Sequence, residues 1–205
     1  VAFAVMCSGI TSASTASNAF AGFLRDGFGQ DWENGSTPLL VIALAFMTII
    51  ALINLRGVGE SVKANVVLTL VELSGLLLII FIGLYAVTQS ALTQVVAAGA
   101  PGLPFDKIFP FIGMFAVANS ALINMLMASR LVYGMARQEV LPPGLGVVHK
   151  TRQTPWVAIL FTTLIAYGLI SYVVLRSDSP VVALLGGTTS LLLLAVFTVV
   201  NIAVL

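Results

Sequence analysis

The chain has 205 residues, 59% of them hydrophobic and 8% charged, with a mean hydropathy of +1.09. A water-soluble domain carries about 25% charged residues, so this chain has too few to cover a surface facing water. A net charge of +1 excludes electrostatic nucleic-acid binding, and one Cys with one His leaves no internal disulfide and no zinc-ligand set, so no metal is expected.

The composition is that of an integral membrane protein. No zincin, nucleophile-elbow or P-loop motif occurs, so nothing marks an enzyme and no cofactor is expected. Segment one, Val1 to Leu24, has no charge and is long enough to span, since about 20 residues cross a core of about 30 Å. It has no starting Met and no basic leader, and reads as cut at its N-terminus rather than as a signal peptide. Its middle is crowded with small residues, which let helix backbones approach closely in lipid. Packing is the plain reading; the sharper one is a polar path lined by Ser8, Thr11, Ser12 and Thr15, with Ser14 in the same run.

A polar loop, Arg25 to Thr37, follows. Ser36-Thr37-Pro38 reads as a helix start. Segment two runs from about Leu39 to Leu55 and is stopped by Gly57 and Gly59. The stretch NLRGVGESVKAN reads as a loop with Arg56, Glu60 and Lys63. Segment three runs from about Ala64 to Val87, with Glu72 about two turns inside it. An acid at such depth costs about 2.5–3.5 kcal/mol on insertion scales, so it should face protein or water. It reads either as a carboxyl with a structural partner or as a proton- or cation-linked site.

Thr88 to Asp106 reads as a connection whose ALTQVVAAG stretch is at most a short helix. Segment four begins near Ile108, with Pro110 in its first turn, and carries the amides Asn119 and Asn124 and the hydroxyl Ser120. A basic loop with Arg130, Arg137, His149, Lys150 and Arg152 leads to Thr154, an N-cap candidate, and Pro155 at the first helical position. Segment five runs from Trp156, an interface anchor, to Leu175. Segment six runs from Pro180 to Leu205, where the sequence stops among apolar residues and reads as a second cut.

Six spans place Arg56, Lys63, Arg130, Arg137, Lys150 and Arg152 on one side and Arg25, Lys107 and Arg176 on the other. The positive-inside rule makes the first set cytoplasmic. The spans also read as three plus three, residues 1–87 and 108–205 joined by 88–107. An odd number of spans per half inverts the second half, an architecture recurrent in secondary transporters.

The residues carry a resemblance. NLRGVGESVKANVVLTLVELSGLLLII, at Asn54 to Ile80, resembles the fourth-loop and fifth-helix region of amino acid permeases of the amino acid–polyamine–organocation superfamily. ALINMLMASRLVYGMARQEVLPPGLGVVHKTRQTPWVAI, at Ala121 to Ile159, is similar to that family's eighth helix, cytoplasmic loop and ninth-helix start. Arg130, Arg137, Pro142 and Pro155 sit on its most specific pattern. Segments one and six resemble helices three and ten.

The resemblance implies an all-α polytopic fold, a partial leucine-transporter-like arrangement of helices three to five and eight to ten. It implies amino acid transport, with an amino acid substrate and H+ or Na+ as coupling ion, in the plasma (cell inner) membrane. Helices one, two, six and seven have no counterpart, and in the family helices one and six hold the substrate. The chain is therefore expected not to transport alone. The alternative is a non-transporting membrane scaffold that associates with itself or a partner. Glu72 falls where some proton-coupled relatives have a lysine, and in the region where sodium-coupled relatives hold their ion with eighth-helix hydroxyls the chain has Ser120 and Ser129, with Asn119 and Asn124 beside them. Glu72, Ser120 and Asn124 are the expected coupling residues.

Overall fold

The computed structural model describes residues 1–88, 105–175 and 181–204. They form six long helices: α1 (Ala2–Gly27), α2 (Thr37–Arg56), α3 (Val58–Thr88), α4 (Phe105–Arg137), α5 (Trp156–Leu175) and α6 (Val181–Val204), with a short 3-10 turn at Pro143–Gly146. The architecture is the expected one: helical, polytopic, and without strands among the described residues. The expected short helix at ALTQVVAAG and the loop Arg176 to Ser179 lie outside those residues.

Among the described residues four helices are long and apolar enough to cross a membrane, α2, α3, α4 and α5, and α6 contributes the apolar stretch Gly187–Thr198. α1 is not among them because it carries hydroxyls where a lipid-facing helix carries Leu. The reason lies in its position. α1 packs against α2, α4, α5 and α6, so it is solvated by protein. Its buried residues are small or hydroxylic, including Ser8, Gly9, Ala13, Ser14, Ala16 and Ser17.

Most of the packing scheme among the described residues survives exchange of the two halves. Swapping α1 with α4, α2 with α5 and α3 with α6 turns the α1–α6 contact into α4–α3, α1–α2 into α4–α5, and α1–α5 into α4–α2; all six contacts are present. The α2–α3 contact has no such counterpart between α5 and α6 among the described residues.

At the central α1–α4 crossing Ala13, Ala121 and Ala128 are fully enclosed, and Gly9 leaves no room for a Cβ without crowding the Asn124 carbonyl. Small residues on both helices allow this approach, and van der Waals contact then holds it in lipid. On α2, Phe46 stacks on Phe20 of α1 with centroids 4.0 Å apart, a pairing worth about 0.5–1.5 kcal/mol beyond area burial.

Several boundaries move, each for a local reason. α1 continues through Arg25 to Gly27, and Arg25 reaches back to Asp26, Asn34 and the Trp32 carbonyl. The expected loop after α2 shrinks to Gly57, whose φ of +146° only glycine adopts readily. α3 restarts at once, and Ser61 staples the corner by donating to the carbonyl of Gly57 at 3.1 Å and Oδ1 of Asn54 at 3.1 Å. Glu72 is therefore about four turns inside α3, deeper than a start at Ala64 gives. α4 starts at Phe105, which places Pro110 inside the helix rather than in its first turn. Thr154 does not cap α5; its hydroxyl donates to the Leu55 carbonyl at 3.4 Å and satisfies the C-terminus of α2 instead. α5 begins at Trp156, one residue after Pro155, and Trp156 is 40% exposed.

α3 stands apart. Only 6% of its most apolar stretch is buried, against 39% for α2 and α5. It touches α4 and α2 and presents its remaining faces outward.

Candidate functional site

Two polar clusters meet on α4. In the first, Asn119 Nδ2 donates to Glu72 Oε2 at 2.9 Å and to Thr69 Oγ1 at 3.2 Å. Asn119 is 8% exposed, and its own Oδ1 is buried without a partner. Glu72 thus sits at membrane depth against a neutral amide and a hydroxyl. Among the described residues the single ion pair is Arg25–Asp26, so no cation neutralises it.

In the second cluster Asn124 Nδ2 donates to Ser12 Oγ on α1 at 3.2 Å, to the Ser120 carbonyl at 2.9 Å and to Ser120 Oγ at 3.3 Å. Ser120 and Asn124 are one helical turn apart and share a face; Asn119 is rotated away from it toward α3. The fold therefore joins Ser12, Ser120 and Asn124, and holds Glu72 in a separate cluster one residue away along α4. Ser120 is exposed, as are Phe115 and Ile123 on the same helix, so this polar seam is open on the outer face of the α1–α4 pair.

The polar path divides. Thr11 donates to the Cys7 carbonyl at 2.7 Å and Thr15 to the Thr11 carbonyl at 3.0 Å, so both hydroxyls are spent on α1 itself. Ser8 is 3% exposed, inside the packing. Of the four, Ser12 alone is bonded across to α4. Ser14 bonds the Ile10 carbonyl at 2.8 Å and reaches the Ala166 carbonyl of α5 at 3.5 Å.

The loop residues gather at the end of the bundle. Arg130 and Arg137 are not in the loop where the sequence put them: α4 continues to Arg137, and both are exposed on its last turns. Pro142 opens the 3-10 turn, whose Gly146 lies against Ala136 and Arg137. Pro155 precedes α5.

Sequence reasoning placed Asn119 with Asn124 and passed over Thr69 and the pairing of Asn119 with Glu72. The signal was present: an amide in the middle of an apolar helix must find a partner, and Glu72 was the one acid at comparable depth.

Two family models, both described as amino acid permease, match residues 1–103 and 104–205. The chain belongs to the amino acid permeases. No curated protein matches it. Permeases are membrane transporters, which accords with the apolar helices, and the family's substrates are amino acids. Through α1 to α5 no described residue breaks a helix between its ends. Away from the helix ends and from Pro110, which takes one hydrogen bond out of α4, their backbone N–H and C=O groups are committed to helical hydrogen bonds.

Proposed function

We propose that this permease takes part in ion-coupled amino acid transport across the plasma (cell inner) membrane, supplying the static framework and gating helices, and that it does not transport alone. The observation that carries the reading is the open polar seam of Ser12, Ser120 and Asn124. Lipid tails solvate an amide and two hydroxyls poorly, so the seam calls for water, substrate, ion or further protein against it. Among the described residues Pro110 alone interrupts a helix's hydrogen bonding, and no paired half-helix ends face each other at membrane depth, so we place the substrate's main grip on helices of the kind the resemblance puts first and sixth.

We assign coupling to Glu72 as a proton carrier, with Asn119 as its hydrogen-bond partner. One carboxylate, one amide and one hydroxyl suit a proton better than a caged hard cation, which takes many oxygens. Sodium at Ser120 and Asn124 is the competing assignment. In a complete relative carrying these helices, Glu72→Gln removes the pH dependence of uptake; unchanged pH dependence refutes the proton role.

The test of the whole reading is radiolabelled uptake over a panel of amino acids, in proteoliposomes of the 205-residue chain beside a version that also carries the family's helices one, two, six and seven. Uptake in the second alone supports it. Saturable uptake by the chain alone overturns it. The second reading, a non-transporting scaffold that self-associates, is favoured by the outward faces of α3; it predicts dimers in detergent and no uptake in either preparation.

A further inference from the structure

At the end of the bundle that carries most of the basic residues, α2 and the turn before α5 form a groove of about 350 Å³ lined by Ile49, Leu52, Ile53, Leu55, Arg56 and Arg152. Two guanidinium groups stand over a wall of aliphatic carbon, and no acid lines the groove. Among the described residues neither side chain has an ion-paired partner, since the single ion pair is Arg25–Asp26.

The turn that presents Arg152 is closed by its own hydrogen bonds. His149 N donates to the Thr154 carbonyl at 2.9 Å, Gln153 N to the His149 carbonyl at 2.8 Å, and Arg152 N to His149 Nδ1 at 3.4 Å. Gln153 has φ +50°, an unusual conformation for a residue other than glycine. Thr154 then ties the turn to the Leu55 carbonyl, next to Arg56. Positions 99 apart in sequence are thus clamped side by side, with the cations at the end of a membrane-crossing helix and the apolar wall running down it.

We propose that this groove binds an anionic phospholipid, its phosphate between Arg56 and Arg152 and the start of an acyl chain along Ile49, Leu52 and Ile53. The chemistry is complementary at both ends. Guanidinium recognises phosphate through paired hydrogen bonds, and the cytoplasmic leaflet, where the charge bias puts this end, is the one rich in anionic lipid. Leu52 is 55% exposed and Ile49 54%, so the wall is open to lipid without any rearrangement.

The test is native mass spectrometry of the purified chain in dodecyl maltoside, titrated with dioleoylphosphatidylglycerol or dioleoylphosphatidylcholine. The expected result is phosphatidylglycerol bound at least about fivefold more tightly. That preference falls below about twofold in the Arg56→Gln/Arg152→Gln pair and persists in Arg130→Gln/Arg137→Gln. Equal loss in both pairs, or no preference in the native chain, overturns the proposal by showing a diffuse basic belt. Displacement of the lipid by millimolar inorganic phosphate overturns it too, because the wall then contributes nothing. If the glutamine pair does not fold, Leu52→Trp decides: it fills the groove and leaves both cations. Loss of phosphatidylglycerol binding there supports the site, and retained binding refutes it.

Discussion

Gly9 is where the closest approach of α1 to α4 can be tested. A Cβ added there lies 3.2 Å from the Asn124 carbonyl oxygen, 3.3 Å from Met127 Cε and 3.4 Å from Ala128 Cβ. The Met127 methyl can swing aside; the carbonyl belongs to a helix and cannot. In Gly9→Ala the crowding is offset by a helix-propensity gain of up to about 1 kcal/mol, so its net change stays within about 1 kcal/mol of zero. Gly9→Leu must fit an isobutyl group into the same space. Overpacking costs about 1–3 kcal/mol, and separating the helices also strains the Ser12–Asn124 bond, with interhelical bonds averaging about 0.6 kcal/mol. A net loss of about 1–3 kcal/mol follows. The control is in the same helix: Gly22 has nothing within 4 Å of its added Cβ, so Gly22→Leu is neutral or gains up to about 1 kcal/mol. Equilibrium unfolding in dodecyl maltoside/SDS mixed micelles, followed by the fluorescence of Trp32 and Trp156, reads both. If Gly9→Leu is as stable as Gly22→Leu, the helices do not meet at Gly9 and the central crossing is wrong.

Asn119→Leu removes two hydrogen bonds and strands Glu72, costing about 1–3 kcal/mol in the same assay. The cost shrinks in a Glu72→Gln background by at least about 0.5 kcal/mol if the two side chains are coupled. Tyr167→Phe breaks the 2.6 Å bond between Thr48 and Tyr167 that joins α2 to α5. It should cost about 0.6 kcal/mol, with Thr48→Val adding nothing further to α2–α5 coupling. Thr154→Val frees the Leu55 carbonyl, and hydrogen exchange at residues 53–56 should quicken while that of α4 does not change. For the membrane orientation, in a Cys7→Ser background Lys63→Cys and Lys150→Cys should react with an impermeant maleimide only after permeabilisation, and Gln30→Cys in intact cells. Reversed labelling refutes the charge-based orientation.

Much of the fold was legible because lipid imposes few choices. Apolar length located six helices, and the Trp156–Leu175 helix matched to the residue. What the sequence hid was local. Hydropathy treats NLRGVGESVKAN as a polar loop, yet one glycine with φ +146° turns the corner, and Ser61 and Asn54 satisfy the backbone around it. The Thr-Pro pair before α5 looks like a cap from either side, and only the position of α2 decides which carbonyl Thr154 serves. At the candidate site, residue type singled out Glu72, Ser120 and Asn124, but not that Asn119 would be the partner of Glu72. Helical rotation puts Asn119 on the α3 side and Asn124 on the α1 side, and that depends on which neighbour each face meets. Likewise, four hydroxyls on one helix suggested a path, while three-dimensional placement left Ser12 as the one bonded across to α4.

The hydroxyls of α1 also bear on how the chain enters the membrane. Thr11, Ser14, Thr15, Ser17 and Asn18 each bond a carbonyl one turn back in the same helix. These bonds need no neighbour, so a nascent α1 can leave the translocon with its polar groups already masked, despite a hydropathy below that of the other spans. Ser12 is different: its interhelical bond waits for Asn124, 112 residues later in the chain. Synthesis of the second half is then the moment at which the first half stops being a loose set of inserted helices, and a ribosome stalled before α4 should leave α1 exposed to membrane quality-control proteases.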